Sequence, residues 1–231
     1  MMFKTIAEHP DFIIVDKAAG LNFHDEGVPG SGLFSLVKQY IQTQNNCNKL
    51  YPVHRLDKIT SGLLIFAKSL SAAQIFNQLF NEHLIEKYYI AIADKKPQKK
   101  QGLIKGDMTK SRRGMFKLLR SSTNPAITQF FSFNLSGKQR LYLMKPHSGK
   151  THQLRVALTS LGAPIIGDPL YYVHSAADRG YLHAYALKFN YLGNNYEFIC
   201  PPSNGQYFLS EEIAQRLNSL NKPWLLDWPR L

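Results

Sequence analysis

The segment HRLDKITSGLLIFAKS, residues 54–69, carries the strongest fold signal in the sequence. It opens with a polar loop that contains Arg55 and Asp57, and it continues into the apolar run GLLIFA, residues 62–67, which is typical of a central strand. A polar loop that borders a buried strand can hold functional groups on a rigid scaffold. Taken alone, however, Asp57 is more simply interpreted as a turn or capping residue.

Strands and helices alternate along the rest of the chain. Apolar or alternating runs predict strands at residues 12–15, 88–93, 127–133 and 140–145. Apolar residues at helical spacing predict four helices: one that starts at Leu33, and others over residues 72–80, 151–161 and 213–220. Ser31 is a candidate cap for the first helix, and Ser69 or Ser71 for the second. Hairpin signals, such as Ser136-Gly137 between the last two strands, favour an α+β fold over a doubly wound parallel sheet. No linker rich in Pro, Gly or Ser divides the 231 residues.

The charge of the chain is concentrated in one segment. The formal net charge is +12, and residues 94–120 contribute ten basic against two acidic side chains, a net +8. Such an excess suggests a polyanionic partner, with nucleic acid ahead of a membrane surface. The alternative is a solvated, lysine-rich loop without a partner.

Several classes of protein are disfavoured. Cys47 and Cys200 are far apart and form no CxxC pair, so we expect reduced thiols and neither a disulfide framework nor a zinc site. The sequence shows no apolar run long enough to span a membrane and no secretory signal. Gly149-Lys150-Thr151 resembles the end of a phosphate-binding loop, but Met144 stands where that motif needs glycine.

Two further segments carry groups suited to chemistry. EKYYIAIA, residues 86–93, places two tyrosines at the start of a strand, and KPHSGKTHQLRVALTSLGAPIIGDPLYY, residues 145–172, gathers basic side chains around a loop and a helix start. Backbone N–H groups at a helix start favour an anion. Each segment alone also fits a structural role, as core tyrosines and as a cationic helix face.

Together the three segments resemble the RluA-type pseudouridine synthases. That family carries an HRLD-x-x-TSGLL-x-FAK motif, a K-x-Y-x-A motif and a GRTHQ[IL]R motif that leads to G-D-x-x-Y, and this chain has HRLDKITSGLLIFAK, KYYIA, GKTHQLR and GDPLYY in the same order. VDKAAGLNFH and LHAYALKF resemble the opening and closing elements, so the resemblance covers about residues 11–190. Ala18, Lys150 and Ala157 depart from the family pattern at positions that are not needed for its chemistry.

The resemblance implies a fold and an activity. We expect the pseudouridine synthase fold, with a central, mostly antiparallel mixed sheet flanked by helices, in one catalytic domain over residues 1–231 without an N-terminal S4-type RNA-binding domain. The expected activity is the isomerisation of specific uridines in ribosomal or transfer RNA, in which uracil is detached from C1′, turned and reattached through C5. This chemistry is redox-neutral, so we expect no cofactor and no metal.

Residue roles follow from the same motifs. The essential carboxylate maps onto Asp57, its cationic partner onto Arg155, and the tyrosine against the target base onto Tyr89, whereas Tyr88 occupies a variable position. Whether the carboxylate attacks C1′ or drives formation of a glycal stays open. We expect substrate binding by Arg55, which would fill the gap left by a flipped nucleotide, and by Leu154, Lys150 and His152; the candidates for contact with the RNA backbone are Lys99, Lys100, Arg112 and Arg113.

Two alternatives remain beside the synthase. One is an RNA-binding or RNA-chaperone module on the same fold, which would not need Asp57, Tyr89 and Arg155 together. The other is an unrelated hydrolase that uses His54 and Asp57, but the chain lacks a nucleophile motif such as GxSxG. We expect a monomeric, cytoplasmic protein with structured RNA as its partner and no membrane contact.

Overall fold

The structure is a computed structural model that describes residues 2–45, 49–97 and 99–231. The chain forms two compact units, Met1–Ile85 and Glu86–Leu231. Cys200 is buried, and Cys47 lies outside the described residues. Among the described residues, no helix has the length and apolarity that crossing a membrane requires.

The first unit is a small antiparallel sheet with two helices. Its elements are β1 (Phe3–Glu8), β2 (Phe12–Lys17), α1 (Leu33–Asn45), β3 (Tyr51–Pro52), β4 (Ser61–Ala67) and α2 (Leu70–Asn81). Strand β2 pairs with β1 on one side and with β4 on the other, and β3 also pairs with β4. Every residue of β4 is buried, which agrees with its uninterrupted apolar sequence.

Short polar groups define the helix starts in this unit. The Ser69 hydroxyl accepts the N–H of Ala72 at 3.1 Å, so Ser69, and not Ser71, caps α2. The Ser31 hydroxyl, predicted to cap α1, donates instead to the carbonyl of Val28 at 2.6 Å. The carboxylate of Asp25 accepts the N–H of Gly32 just before α1 at 2.7 Å, because the chain folds back over seven residues to bring it there.

The second unit contains a six-stranded antiparallel sheet, a separate hairpin and two α-helices. Its elements are β5 (Glu86–Ala93), β6 (Gln101–Gly106), β7 (Met108–Lys110), β8 (Phe116–Leu118), β9 (Ala126–Asn134), β10 (Arg140–Pro146), α3 (Gln153–Ser160), β11 (Leu182–Tyr191), β12 (Asn194–Ile199) and α4 (Glu211–Ser219). The order in the sheet is β12-β11-β5-β10-β9-β6, and β7 pairs with β8 as the hairpin. The α+β class predicted from the sequence is therefore confirmed.

Helix α3 is shorter than its apolar pattern predicts. The prediction covered residues 151–161, whereas the helix begins at Gln153 and ends at Ser160. It begins later because His152 adopts a left-handed backbone with φ of 59°, which an α-helix cannot continue. The chain leaves the helix through Gly162 at φ 72°, the residue type that this position favours.

Candidate active site

The loop between β3 and β4 that carries Asp57 is fixed by the side chain of His54. The Nε2 atom of His54 accepts the N–H of Ile65, in the middle of β4, at 2.9 Å, and the imidazole ring lies 4.7 Å from the ring of Phe80 on α2. Leu56 is buried beside Asp57, which is itself half-buried. The Asp57 carboxylate thus stands on a loop that both the strand and the helix behind it hold in position.

A buried ammonium joins this loop to the opening element of the unit. Lys17 is fully buried, and its Nζ atom donates to the carbonyls of Ala18 at 2.9 Å, Leu21 at 2.7 Å and Lys58 at 3.3 Å. The N–H of Gly20 donates to the same Lys58 carbonyl at 2.8 Å. Three acceptors match the three protons of an ammonium group, so a buried lysine is fully satisfied and anchors the residue after Asp57.

Arg55 differs from its neighbours in exposure. It lies between His54 and the buried Leu56, yet its own side chain is exposed. A planar guanidinium held on a fixed loop and open to solvent can stack on a base. The structure is therefore compatible with the predicted contact to nucleic acid.

The tyrosines of β5 point to opposite faces of their strand. Residues 87 and 89 share one face and Tyr88 takes the other, because side chains alternate along a strand. Tyr89 is half-buried and pairs with Met144 of β10 and Ala184 of β11. Burial lowers the pKa of Lys87, on the Tyr89 face, to about 8.

Tyr88 belongs to a structural cluster on the other face. It is fully buried, its hydroxyl donates to Glu86 at 2.5 Å, and Lys145 donates to the same carboxylate at 2.6 Å. Its ring lies 5.7 Å from that of Trp228. Burial, together with the hydrogen bond to Glu86, raises the pKa of Tyr88, which keeps this phenol neutral. Tyr88 therefore has a structural role in this cluster.

Gln153 fixes the loop that precedes α3. Its buried amide oxygen accepts the hydroxyl of Ser148 at 2.8 Å and the N–H of Lys150 at 3.0 Å. Its amide nitrogen donates to the carbonyl of Ile127 at 3.1 Å and to the hydroxyl of Thr128 at 3.0 Å. All four hydrogen-bonding positions of the amide are therefore used, and they tie the loop to strand β9.

Arg155 is held by a residue to which the sequence analysis assigned no role. Its Nε donates to Oδ2 of Asp168 at 2.7 Å and its Nη2 to Oδ1 at 2.9 Å. Arg155 is 3% exposed and Asp168 is 0% exposed. Oδ1 also accepts the N–H groups of Leu170 and Tyr171, at 2.9 and 3.0 Å. Asp168 is the acid of the GDPLYY segment, so it lies inside one of the family's motifs. Its separation from Arg155 in the sequence, however, could not show that the two side chains pair.

Tyr171 connects Arg155 to the β7–β8 hairpin. The guanidinium carbon of Arg155 lies 5.1 Å from the centre of the Tyr171 ring, within the range of a cation–π contact. The Tyr171 hydroxyl oxygen accepts the N–H of Phe116 in β8 at 2.8 Å and lies 3.1 Å from Nδ1 of His152. His152, predicted to bind substrate, thus lies against a tyrosine that the sequence analysis did not single out.

The other two predicted substrate contacts from this region have protein neighbours. Lys150 donates from Nζ to the side-chain carbonyl of Asn124 at 3.0 Å. Leu154 is 7% exposed and belongs to the apolar core of the unit, together with Ala157 and Leu158. A role for Lys150 at a phosphate would therefore compete with its bond to Asn124, and Leu154 can offer at most a small apolar edge.

The basic segment, residues 94–120, exposes its positive charge. Each of its ten cations is exposed: Lys95, Lys96, Lys99, Lys100, Lys105, Lys110, Arg112, Arg113, Lys117 and Arg120. Within the part of the chain that the structure describes, none of them lies within 4.0 Å of a carboxylate oxygen. The chain turns at the hairpin tip through Arg113 and Gly114, at φ 54° and 74°, so the tip presents two arginines to solvent. An uncompensated, exposed cationic surface of this kind suits a polyanion.

Comparison with known proteins identifies the family. The sequence profile described as RNA pseudouridylate synthase matches residues 11–160. This chain belongs to the RNA pseudouridylate synthase family. The resemblance to RluA-type synthases is thereby confirmed, and so is the enzyme class, because members of this family are isomerases that act on RNA.

Relatives of the family differ in length. The chain is 46% identical over 227 residues to an uncharacterized RNA pseudouridine synthase of Haemophilus influenzae, covering 97% of this chain and 99% of the relative. It is 36% identical over 171 residues to the ribosomal large subunit pseudouridine synthase C of Rickettsia bellii, covering 72% of this chain and 56% of that protein. The match to this chain covers about half the length of the Rickettsia protein.

Solved structures confirm the predicted fold. The structure of human RNA Pseudouridylate Synthase Domain Containing 4 matches with a TM-score of 0.72 and 22% identity, over 93% of this chain and 92% of that one. Human RNA Pseudouridylate Synthase Domain Containing 1 gives the same TM-score at 21% identity, over 95% of each chain. At these identities the likeness concerns the fold alone.

Proposed function

We propose that this synthase converts specific uridines of ribosomal or transfer RNA into pseudouridine, with Asp57 as the essential carboxylate. The observation that carries the proposal is the HRLD loop: it lies inside the segment matched by the family profile, and His54, Leu56 and Lys17 hold it rigidly while Asp57 stays half-buried. The Rickettsia relative, named for the ribosomal large subunit, supports ribosomal RNA as the first substrate to test.

The reaction begins at the glycosidic bond. Asp57 either attacks C1′ of the ribose or takes up the C2′ proton as a glycal forms, and each route detaches uracil from C1′. Both routes need the carboxylate in its ionised form. The uracil then turns and rejoins C1′ through C5; on the first route the bond between Asp57 and C1′ breaks, and on the second the proton returns to C2′. The C5 proton is lost, and N1, which has left C1′, gains a proton. No electrons are gained or lost overall, so the reaction needs no cofactor.

The remaining site residues would bind and position the nucleotide. Tyr89 lies against the base and assists proton transfer at C5. Arg155 supplies positive charge for the reacting carboxylate and is itself oriented by Asp168. The target must leave its stack to be enclosed, and Arg55 fills the space it vacates. We further propose that residues 1–231 act as one monomeric catalytic domain in the cytoplasm.

The test is release of tritium from RNA labelled at C5 of uridine. We expect the wild-type protein to release tritium from ribosomal or transfer RNA isolated from cells that lack it, and Asp57→Ala to reduce release at least a thousandfold while binding of RNA persists. Asp227→Ala, which changes an exposed aspartate near the C-terminus, serves as the matched control. Equal release by the Asp57 variant would exclude the assignment, and binding without release on every RNA would favour the non-catalytic module.

The target uridine can be found in cells. Sequencing-based mapping of pseudouridine in total RNA, with and without the gene for this protein, should show a small number of sites that disappear in its absence. Complementation with Asp57→Ala should leave those sites unmodified, and complementation with Asp227→Ala should restore them. Loss of sites in transfer RNA alone would exclude ribosomal RNA as the substrate.

A further inference from the structure

The β7–β8 hairpin is attached to the start of α3 at a small number of side chains. Phe116 begins β8, and its ring makes an edge contact with the imidazole of His152 at 5.6 Å between ring centres. The backbone N–H of the same residue donates to the Tyr171 hydroxyl oxygen at 2.8 Å. The exposed cations of the hairpin are close in sequence to Phe116, which contacts side chains near Arg155; they are Lys110, Arg112, Arg113 and Lys117.

Tyr171 contacts the hairpin, the start of α3 and the Arg155–Asp168 pair. Its hydroxyl contacts Phe116 of the hairpin and His152 at the start of α3. Its ring lies over the Arg155 guanidinium, and its backbone N–H donates to Asp168, the acid that orients Arg155. A shift of the hairpin therefore reaches the Arg155–Asp168 pair through one side chain.

The phenol oxygen of Tyr171 joins two neighbours. It accepts the N–H of Phe116 at 2.8 Å and lies within hydrogen-bond distance of Nδ1 of His152, at 3.1 Å. Replacement of the hydroxyl by hydrogen removes both bonds, while the ring can stay on Arg155.

We propose that Tyr171 is a positioning residue, whose hydroxyl couples RNA held by the β7–β8 hairpin to the placement of Arg155 and His152. This inference rests on the proposed function for its effect on rate, and it adds to that function a link between backbone binding and the chemical site. The hairpin cations hold the RNA. Because the Phe116 N–H is bonded to the phenol oxygen, the position of the phenol depends on that of the hairpin. The phenol in turn fixes the start of α3.

The kinetic test compares two adjacent tyrosines. Tyr171→Phe removes the coupling hydroxyl, and Tyr172→Phe is the matched control, because the Tyr172 hydroxyl donates to Asp94 at 2.9 Å and not to the α3 region. Single-turnover tritium release at saturating enzyme reports on bound RNA and is insensitive to a partly unfolded sample. We expect Tyr171→Phe to slow this step roughly threefold to tenfold with little change in the RNA dissociation constant, and Tyr172→Phe to leave it within twofold of wild type.

A second measurement follows the coupling without using activity. Hydrogen–deuterium exchange of the full chain is recorded with and without total ribosomal RNA as the probe. In the wild type, RNA should protect both the hairpin and residues 150–156. In Tyr171→Phe the hairpin should stay protected, and protection of residues 150–156 should be lost. In a variant that combines Arg112→Ala and Arg113→Ala, RNA should protect both segments less.

The outcomes separate the two proposals. Protection of both segments in Tyr171→Phe, or an unchanged single-turnover rate in that variant, would overturn the coupling even if the wild type is an active synthase. Absence of tritium release by the wild type would count against the proposed function, whereas the exchange pattern would still decide the coupling. Equal slowing by Tyr171→Phe and Tyr172→Phe would show a general effect on this segment and would also overturn the coupling.

Discussion

The guanidinium of Arg155 meets the carboxylate of Asp168 side-on, with Nε and Nη2 at 2.7 and 2.9 Å from its two oxygens. Both side chains are almost fully buried, and two backbone N–H groups complete the coordination of the carboxylate. A bidentate pair of this kind fixes the plane of the guanidinium as well as its position. Asp168 therefore decides where the remaining edge of Arg155 points.

Asp168→Asn should destabilise the protein by about 3–5 kcal/mol, because it leaves a buried guanidinium without its counter-charge. The free energy of unfolding in urea measures this loss. Asp227→Asn, at an exposed site, should change that free energy by less than about 0.5 kcal/mol. A loss below about 1 kcal/mol for Asp168→Asn would mean that the pair does not hold Arg155 in solution.

Gln153→Leu keeps the approximate size of the side chain and removes four hydrogen bonds to the loop before α3. We expect a loss of about 2–4 kcal/mol in stability, because buried partners such as the N–H of Lys150 are left unsatisfied. Catalysis should also fall, since the loop leads directly into Arg155. Urea unfolding measures the first effect and tritium release the second. Gln215→Leu, on the exposed face of α4, is the control, and similar losses for both variants would refute the argument.

His183 should make the stability of the fold depend on pH. Burial, with a smaller contribution from the nearby charge of Arg179, lowers its pKa from an ordinary 6.5 to about 3, although the hydrogen bond to the carbonyl of Cys200 acts in the opposite direction. Between these values the unfolded chain binds a proton that the folded chain does not. The contribution of His183 to the free energy of unfolding is therefore fully present above pH 6.5, and it is lost as the pH falls towards 3.

From pH 7 to pH 5 this single group should lower the free energy of unfolding by about 2 kcal/mol. His183→Gln, which cannot titrate, should show a decrease smaller by that amount in urea unfolding at the two pH values. His174→Gln, at an exposed position on the same unit, should follow the wild type. Parallel pH profiles for wild type and His183→Gln would show that this imidazole does not titrate in the window.

Removing hairpin charges should flatten the salt dependence of RNA binding. Each phosphate contact contributes about 0.7 to 0.9 to the slope of log K against log salt concentration, so Arg112→Ala with Arg113→Ala should reduce the slope by roughly 1.4 to 1.8. Lys99→Ala with Lys100→Ala should act similarly if both lysines contact the backbone. Lys4→Ala with Lys222→Ala removes two exposed cations outside the segment and should leave the slope unchanged. An unchanged slope in the hairpin variant would favour the solvated-loop interpretation.

Local sequence patterns predicted most of the elements, because each is encoded by neighbouring residues. The run Ser61–Ala67 is apolar throughout and is a buried strand, and the cap at Ser69 follows from a serine before a helical stripe. The start of α3 could not be read in this way. His152 adopts its left-handed backbone beside Phe116 and Tyr171, which are distant in sequence, and only the folded chain brings them together.

The candidate site shows the same limit of local patterns. Asp57, Tyr89 and Arg155 are predicted from the sequence because the motifs that carry them are long and occur in the family's order. Asp168 was inside a quoted motif but had no assigned role, because its partner is thirteen residues away on a helix. The local sequence does not show that Lys17 is buried. Its burial depends on three carbonyl groups that the loops of the first unit direct towards its ammonium group.

The uncompensated charge of the basic segment also bears on how the enzyme finds its target. A cell offers many thousands of uridines, and most of them lie in RNA that should not be modified. A surface that holds any phosphate backbone lets the protein remain near RNA between encounters and move along it by hopping. On the proposed function, selection of one uridine is left to the residues around Asp57, and the time spent searching, more than the chemical step, is the quantity that salt controls.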